Sequence, residues 1–370
     1  KNYLYFLSIS LVVVLYLAQV ASPIRVNIDA YRLLSMAESA YNGEGYLVDG
    51  SPDRFPILYP MLVKTLMQLD IADSHVIISL NLIFLFGFIY FFHQLFKIEK
   101  NYHCFYYIIF ILLSWVCIKH VTLPLTDMGF MFFSGASLLL LKKVTWYNKI
   151  EFICFLTFSI LLALIATGFR SIGMALFPAI AYAGGYSFIK QMRFKLRKAD
   201  IFIYSCLLSI VLLIVVLGVK TQWFKDNFIS SNGYFYDIIN KIHTDGFLSF
   251  FMTNIGYRVL EFGEIATNLP LSKFSFLLPL YIVAGLIMFA TTIYGCYKLF
   301  VNSNTSFLSV YFISYSAIML TWPFYDSRFW LPVLPFIFIG IMSLLDNLKS
   351  YSSYLKYIAI CYFSIYAIVG

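Results

Sequence analysis

Charge is what this sequence has least of. Asp, Glu, Lys and Arg make up 12% of its 370 residues, whereas 61% are hydrophobic and 20% aromatic. Soluble domains carry about 25% charged and about 45–50% apolar residues, so a water-exposed globular fold is excluded. Metal and redox spacings are missing as well. The six cysteines (Cys104, Cys117, Cys154, Cys206, Cys296 and Cys361) all fall inside apolar runs, and none has CxxC spacing. That argues against a disulfide framework or a zinc site and for buried, inert thiols. No glycine loop could cradle a nucleotide phosphate, and no DxD pair, repeat or low-complexity tract is present. The first apolar run, residues 4–21, lacks a charged leader with a small-residue cleavage site and reads as a retained span.

What the chain has instead is apolar helix. Crossing about 30 Å of hydrocarbon takes roughly 20 apolar residues. Eleven segments qualify, near 3–21, 76–96, 104–118, 122–141, 150–167, 171–189, 201–219, 276–297, 306–322, 329–345 and 354–370. Only two long polar insertions interrupt them, 22–75 and 220–275. The expected fold is therefore an all-α polytopic membrane protein, residues 1–370 forming one domain of about 11 transmembrane helices with two loops on it.

The net charge of +8 needs no nucleic acid to explain it. The connectors "KIEKNYH", "KKVTWYNK", "KQMRFKLRKAD" and "DNLKSYSSYLK" hold much of the basic charge. With an inside amino terminus, the positive-inside bias puts all four in the cytoplasm. Both long loops then face outward, with the short turns around Thr126, Arg170 and Asp326. Asp29, Asp127, Arg170, Asp326 and Arg328 thus fall on one membrane face although far apart in sequence. Charges at span ends tend to face a bundle interior or a wet cavity, so a shared polar site at the outer interface is expected.

In the first loop, "DAYRLLSMAESAYNG" predicts an interfacial helix with Tyr31, Leu33, Leu34, Ala37, Ala40 and Tyr41 on its apolar stripe and Gly43 as a stop. "RFPILYPMLVKTLMQL" predicts a second amphipathic piece, and "DGSPD" a turn. In the second loop, "FLSFFMTNIGYRVLEFGEIA" predicts a surface helix bringing Tyr257, Arg258, Glu261 and Glu264 to one side.

Four stretches, in order, carry a resemblance. The outward Asp29 after the first span leads into an interfacial helix and "FPILYP"; "LPLTDMGFMFFSGASLLLL" places Asp127 at the head of a helix. "ATGFRSIGMALFPAIAY" holds Arg170 in a turn between spans, and "WPFYDSRFWLPVLPFIFIG" holds Arg328 before a Leu-Pro-x-Leu-Pro run. The series resembles the GT-C glycosyltransferases, which include protein mannosyltransferases and aminoarabinose transferases acting on lipid A. The likeness is to the superfamily, and the large soluble carboxy-terminal domain of some relatives has no counterpart in this sequence.

The resemblance implies a multi-pass protein of a bacterial inner membrane with its active site facing outward. It implies transfer of a monosaccharide from a polyprenyl-phosphate sugar donor to a lipid, glycan or protein acceptor, with inversion. Asp29 would then be the general base that takes the acceptor's proton, a role contributing about 10²–10⁴-fold; equally, Asp is a favoured cap for the helix it precedes. Asp127 would bind sugar, acceptor or a divalent cation, or with Thr126 merely cap its helix. Arg170 and Arg328, with Arg258 and Lys119 behind them, would bind the donor phosphate, since guanidinium grips phosphate through paired hydrogen bonds. Arg328 could alternatively pair with Asp326 or snorkel. Tyr31, Tyr325, Asp326 and His120 complete the substrate-contact candidates, while His75 and His243 read as surface or packing histidines. No cofactor is required by these residues. Two other classes fit the outward loops: a flippase or transporter of polyprenyl-linked glycans, and an O-antigen polymerase or ligase. A transporter would spread charge through the depth of its spans, whereas here charge gathers at span ends.

Overall fold

The computed structural model describes residues 2–96, 101–144, 149–192, 234–348 and 354–369. The span expected at 201–219, Cys206, most of "KQMRFKLRKAD" and residues 220–233 of the second loop lie outside the described residues, as do parts of the other three basic connectors. The described chain is helical apart from one two-residue hairpin, Leu47–Val48 (β1) against Ser51–Pro52 (β2). Its turn is Asp49–Gly50, both with positive φ, the pairing favoured where a tight hairpin must match strand twist.

The helices are α1 (Asn2–Gln19), α2 (Ile28–Tyr41), α3 (Leu58–Gln68), α4 (Ser74–Phe96), α5 (Asn101–Leu112), α6 (Trp115–Val121), α7 (Asp127–Lys142), α8 (Lys149–Phe169) and α9 (Leu176–Met192). After the second loop come α10 (Tyr234–Asp245), α11 (Phe247–Thr267), α12 (Leu278–Val301), α13 (Ser306–Thr321), α14 (Leu334–Leu348) and α15 (Tyr354–Val369). Three 3₁₀ turns, Ser171–Ala175, Ser275–Leu277 and Ser327–Val333, lead into α9, α12 and α14.

This is a helical membrane protein. Among the described residues, four helices are long and apolar enough to cross a membrane: Ser74–Phe96, Ile150–Phe169, Ser275–Val301 and Ser327–Asp346. A fifth arises if Cys104–Leu112 and Trp115–Val121, bent by 58°, count as one broken span. Helices α7 and α13 have 16 residues each, about 24 Å at 1.5 Å per residue. Helix α7 is short because the apolar run 122–141 is not helical at its start, whereas α13 matches the run 306–322 to within one residue. Residues 122–126, 170–175 and 322–333 leave the α-helix and turn toward a common cleft.

Irregular backbone inside an apolar bundle must find partners, and it does. At the break between α5 and α6, Asn268 fills the gap. Its Nδ2 donates to the carbonyls of Leu113 (2.8 Å) and Tyr366 (2.9 Å), and its Oδ1 accepts from the Trp115 N–H (2.8 Å). The Tyr16 hydroxyl donates to the Leu112 carbonyl (2.5 Å). Asn81, on α4, donates to the carbonyls of Val121 and Leu123, both at 2.9 Å, and so anchors the segment that delivers Asp127.

Packing between helices uses aromatic rings and glycines. Phe84, Phe132, Phe133 and Phe169 form an edge-and-face cluster joining α4, α7 and α8. Where α11 crosses α12, a Cβ on Gly263 would sit 2.2 Å from the Tyr281 carbonyl oxygen, and one on Gly285 would sit 2.0 Å from that of Val259. Only glycine permits that approach.

In the first loop the stripe of α2 differs from the expected one. Ala30, Leu33, Met36, Ala37 and Ala40 are buried, whereas Tyr31 and Tyr41 are exposed. Small alanines let α2 lie close to α3, which the two tyrosines could not. Helix α11 also departs from expectation: Arg258, Glu261 and Glu264 are buried, because α12 and the Trp322–Val333 segment cover that face.

Candidate functional site

An open cleft is lined by charged side chains from four distant segments: Asp29, Asp127, Arg170 and Arg328. Phe55, Trp322 and Phe329 supply its aromatic walls, and Thr126 and Ser171 further polar edge.

Asp29 arrives at the second position of α2. The cap of that helix is Asn27, whose side chain accepts from the Ala30 N–H at 2.8 Å. Asp29 is thereby spared the capping role and forms an ion pair with Arg328 through Oδ2 and Nη2. Asp127 likewise begins α7 without a side-chain capping bond at Thr126. Its carboxylate, almost completely buried, pairs with Arg170. Arg170 stands where α8 gives way to the 3₁₀ turn, with extended backbone (φ −145°, ψ 131°) that points the chain back across the helix ends.

Arg328 is held from two sides. Asp326 Oδ2 lies 2.9 Å from its Nε, while Asp326 Oδ1 accepts from its backbone N–H at 3.0 Å. The Asp326 pairing and the Asp29 pairing therefore coexist. Phe329 lies against both guanidinium groups, with Arg170 5.0 Å and Arg328 5.3 Å from its ring centroid. A ring face attracts each cation, so one phenyl holds two like charges in one cleft. Phe329 was not a candidate in the sequence; its position next to Arg328 in an aromatic-rich stretch was the available signal.

The remaining candidates lie apart from the cleft lining. Arg258 pairs with Glu261 at 3.2 Å and donates from Nη2 to the Phe324 carbonyl at 2.6 Å. Lys119 is exposed, its ammonium 5.5 Å over the Trp115 ring. His120 is buried, with Nδ1 2.6 Å from the Val116 carbonyl oxygen. Tyr31 faces outward from α2, and Tyr325 packs edge-on against Tyr257. Burial and the neighbouring Glu264 carboxylate push the Tyr325 phenol up, so it remains a neutral donor.

Behind the Arg328 segment, α11 presents two buried carboxyl groups, and α11 is outside the candidate spans. Glu261 accepts from the Asp326 N–H (2.8 Å) and from Trp330 Nε1 (2.7 Å). Glu264 accepts from the Ser327 hydroxyl and from the Leu271 N–H. Burial raises both carboxyl pKa values; the Arg258 charge and the Trp330 donor pull Glu261 back only in part, as the Ser327 and Leu271 donors do for Glu264. Among the described residues, no three His, Cys, Asp or Glu side chains converge as a metal site would need.

The chemistry available in the cleft is that of two carboxylates, each paired with a guanidinium, and Arg328 is shared with Asp326. An anion entering it can trade places with a carboxylate on an arginine and leave that carboxylate able to accept a proton. No family model, curated protein or solved structure matches the chain.

Proposed function

We propose that this protein is a membrane glycosyltransferase of the GT-C type, moving one sugar from a polyprenyl-phosphate carrier to a lipid, glycan or protein acceptor at the outer face of the membrane. The observation that carries the reading is the meeting of Asp29, Asp127, Arg170 and Arg328 in one cleft. Each of the four belongs to a different one of the ordered motifs. The eleven-span topology with cytoplasmic basic connectors belongs to the same proposal.

In this mechanism the donor phosphodiester enters between Arg328 and Arg170, and its oxygens replace Asp29 on the Arg328 guanidinium. The acceptor hydroxyl lies against the freed Asp29. As the acceptor oxygen bonds to the anomeric carbon, its proton passes to Asp29 and the bond from carbon to phosphate oxygen breaks with inversion. The electron pair leaves with the lipid phosphate, whose growing charge the two guanidiniums stabilise in a poorly hydrated site. Asp127 keeps Arg170 aimed at the cleft and is placed to accept from sugar hydroxyls.

A transporter reading would draw on the broken helix at α5 and α6, because such breaks line substrate paths. Here the freed backbone groups are already taken by Asn268 and Tyr16, which leaves the break as a structural joint. The functional test is glycan mass spectrometry of a deletion strain complemented with wild-type protein or with Asp29→Asn. A sugar absent from the deletion strain and restored by wild type alone supports the proposal. Restoration by Asp29→Asn, or an unaltered glycan profile on deletion, overturns it.

A further inference from the structure

Helix α11 carries charge where an apolar helix has most to lose by it. Asn254, Arg258, Glu261 and Glu264 recur at spacings of four, three and three residues, and so share one side of the helix, which Asn268 caps at its carboxy end. All five are buried. The partners of the first four lie along the segment 320–330 that carries Arg328, whereas Asn268 bonds Leu113, Trp115 and Tyr366. Asn254 donates to the Leu320 carbonyl (3.1 Å) and Arg258 to the Phe324 carbonyl (2.6 Å); Glu261 accepts from the Asp326 N–H (2.8 Å) and the Trp330 indole (2.7 Å), and Glu264 from the Ser327 hydroxyl. Two of these contacts bracket Arg328 on either side, at Ser327 and Trp330.

We propose that Glu261 is a positioning residue for the cleft: by holding Asp326 and Trp330 at fixed points it sets the Arg328 guanidinium against Asp29. A buried ion pair is a poor source of stability, since desolvation offsets the attraction. A helix meant only to pack would do as well with leucine at these positions. What the polar stripe adds is register, because the carboxylate of Glu261 has two oxygens and each receives a different donor from the 326–330 turn. Trp330 is held besides by Phe262 and Tyr315, whose ring centroids lie 4.6 and 6.2 Å away. Arg328 therefore stands on a segment fixed from behind while its guanidinium remains open to the cleft. The kinetic consequence of this role rests on the glycosyltransferase reading; the geometric one does not.

Two measurements test it. The first is a double-mutant cycle on donor KM. Glu261→Gln places an amide where two N–H donors need acceptors, and should raise donor KM about tenfold when Arg328 is present but leave it nearly unchanged in the Arg328→Ala background, the coupling expected of residues acting through one another. Trp330→Phe, which removes one donor and keeps the packing, should act in the same direction and less strongly. The second uses Asp29→Cys with Arg328→Cys in a variant lacking Cys154 and Cys361, and reads the yield of cross-linking by a short bifunctional thiosulfonate. Glu261→Gln should lower that yield. An unchanged yield, or equal effects of Glu261→Gln in both Arg328 backgrounds, overturns the proposal. Were wild-type protein to transfer no sugar, the functional reading would fail alone, and the cross-link yield would still decide whether Glu261 positions residue 328.

Discussion

Each cleft carboxylate is matched to a cleft arginine, and the pairs differ in burial. Asp127 is the more enclosed partner, with 3% of its side chain exposed against 20% for Asp29. In the proposed reaction the more accessible Asp29 exchanges its arginine for a substrate and then takes a proton. Asp29→Asn should therefore lower the turnover number by about 10²–10⁴-fold while leaving insertion and folding intact, as gel filtration and turnover on the same preparation would show. Arg328→Ala and Arg170→Ala should act mainly on donor KM, with acceptor KM little moved; steady-state kinetics varying each substrate in turn separates the two. Much of this was legible in the sequence, because charge is so scarce that Asp29, Asp127, Arg170 and Arg328 stand out at the ends of apolar runs. The division of labour between Asn27 and Asp29 was not. Either residue type caps a helix, and only the fold shows that Asn27 does so and leaves Asp29 to pair with Arg328.

At the scale of elements, helix ends matter more than helix middles. Asn27→Ala should cost about 1 kcal/mol through the lost cap and loosen the Asp29 position, so activity should fall by more than the stability change alone would produce. Asn268→Ala orphans the carbonyls of Leu113 and Tyr366 and the Trp115 N–H, at about 1–3 kcal/mol per buried group. Thermal unfolding in detergent should register that loss clearly, while Asn240→Ala, at an exposed site on α10, should change little. Hydropathy located these elements well but misjudged their ends and faces. A run of apolar residues does not reveal where its helix begins, so the run 122–141 became a helix of 16 residues that starts only at Asp127. Charge on a helix ordinarily signals a solvated face. On α11 it meets hydrogen-bond partners some 65 residues further along the chain, a pairing that local periodicity cannot carry.

At the scale of the whole molecule, the cleft gathers what the chain separates: Asp29 and Arg328 are 299 residues apart and in contact. The proposed topology puts that cleft outside and the α12–α13 turn inside. In a variant lacking exposed native thiols, an impermeant thiol reagent applied to intact cells should label Asp49→Cys, in the exposed hairpin, and spare Ser303→Cys until the membrane is opened. Residues such as these report sidedness without touching the cleft.

The central claim is that the two arginines and two carboxylates form one seat for a lipid-linked phosphate. The most direct measurement is an electron cryo-microscopy structure with polyprenyl monophosphate bound. The account predicts phosphate density within hydrogen-bonding distance of Arg328, with Arg170 facing it and Asp29 released from its ion pair. Phosphate seated elsewhere, with the Asp29–Arg328 pair intact beside it, would contradict the account.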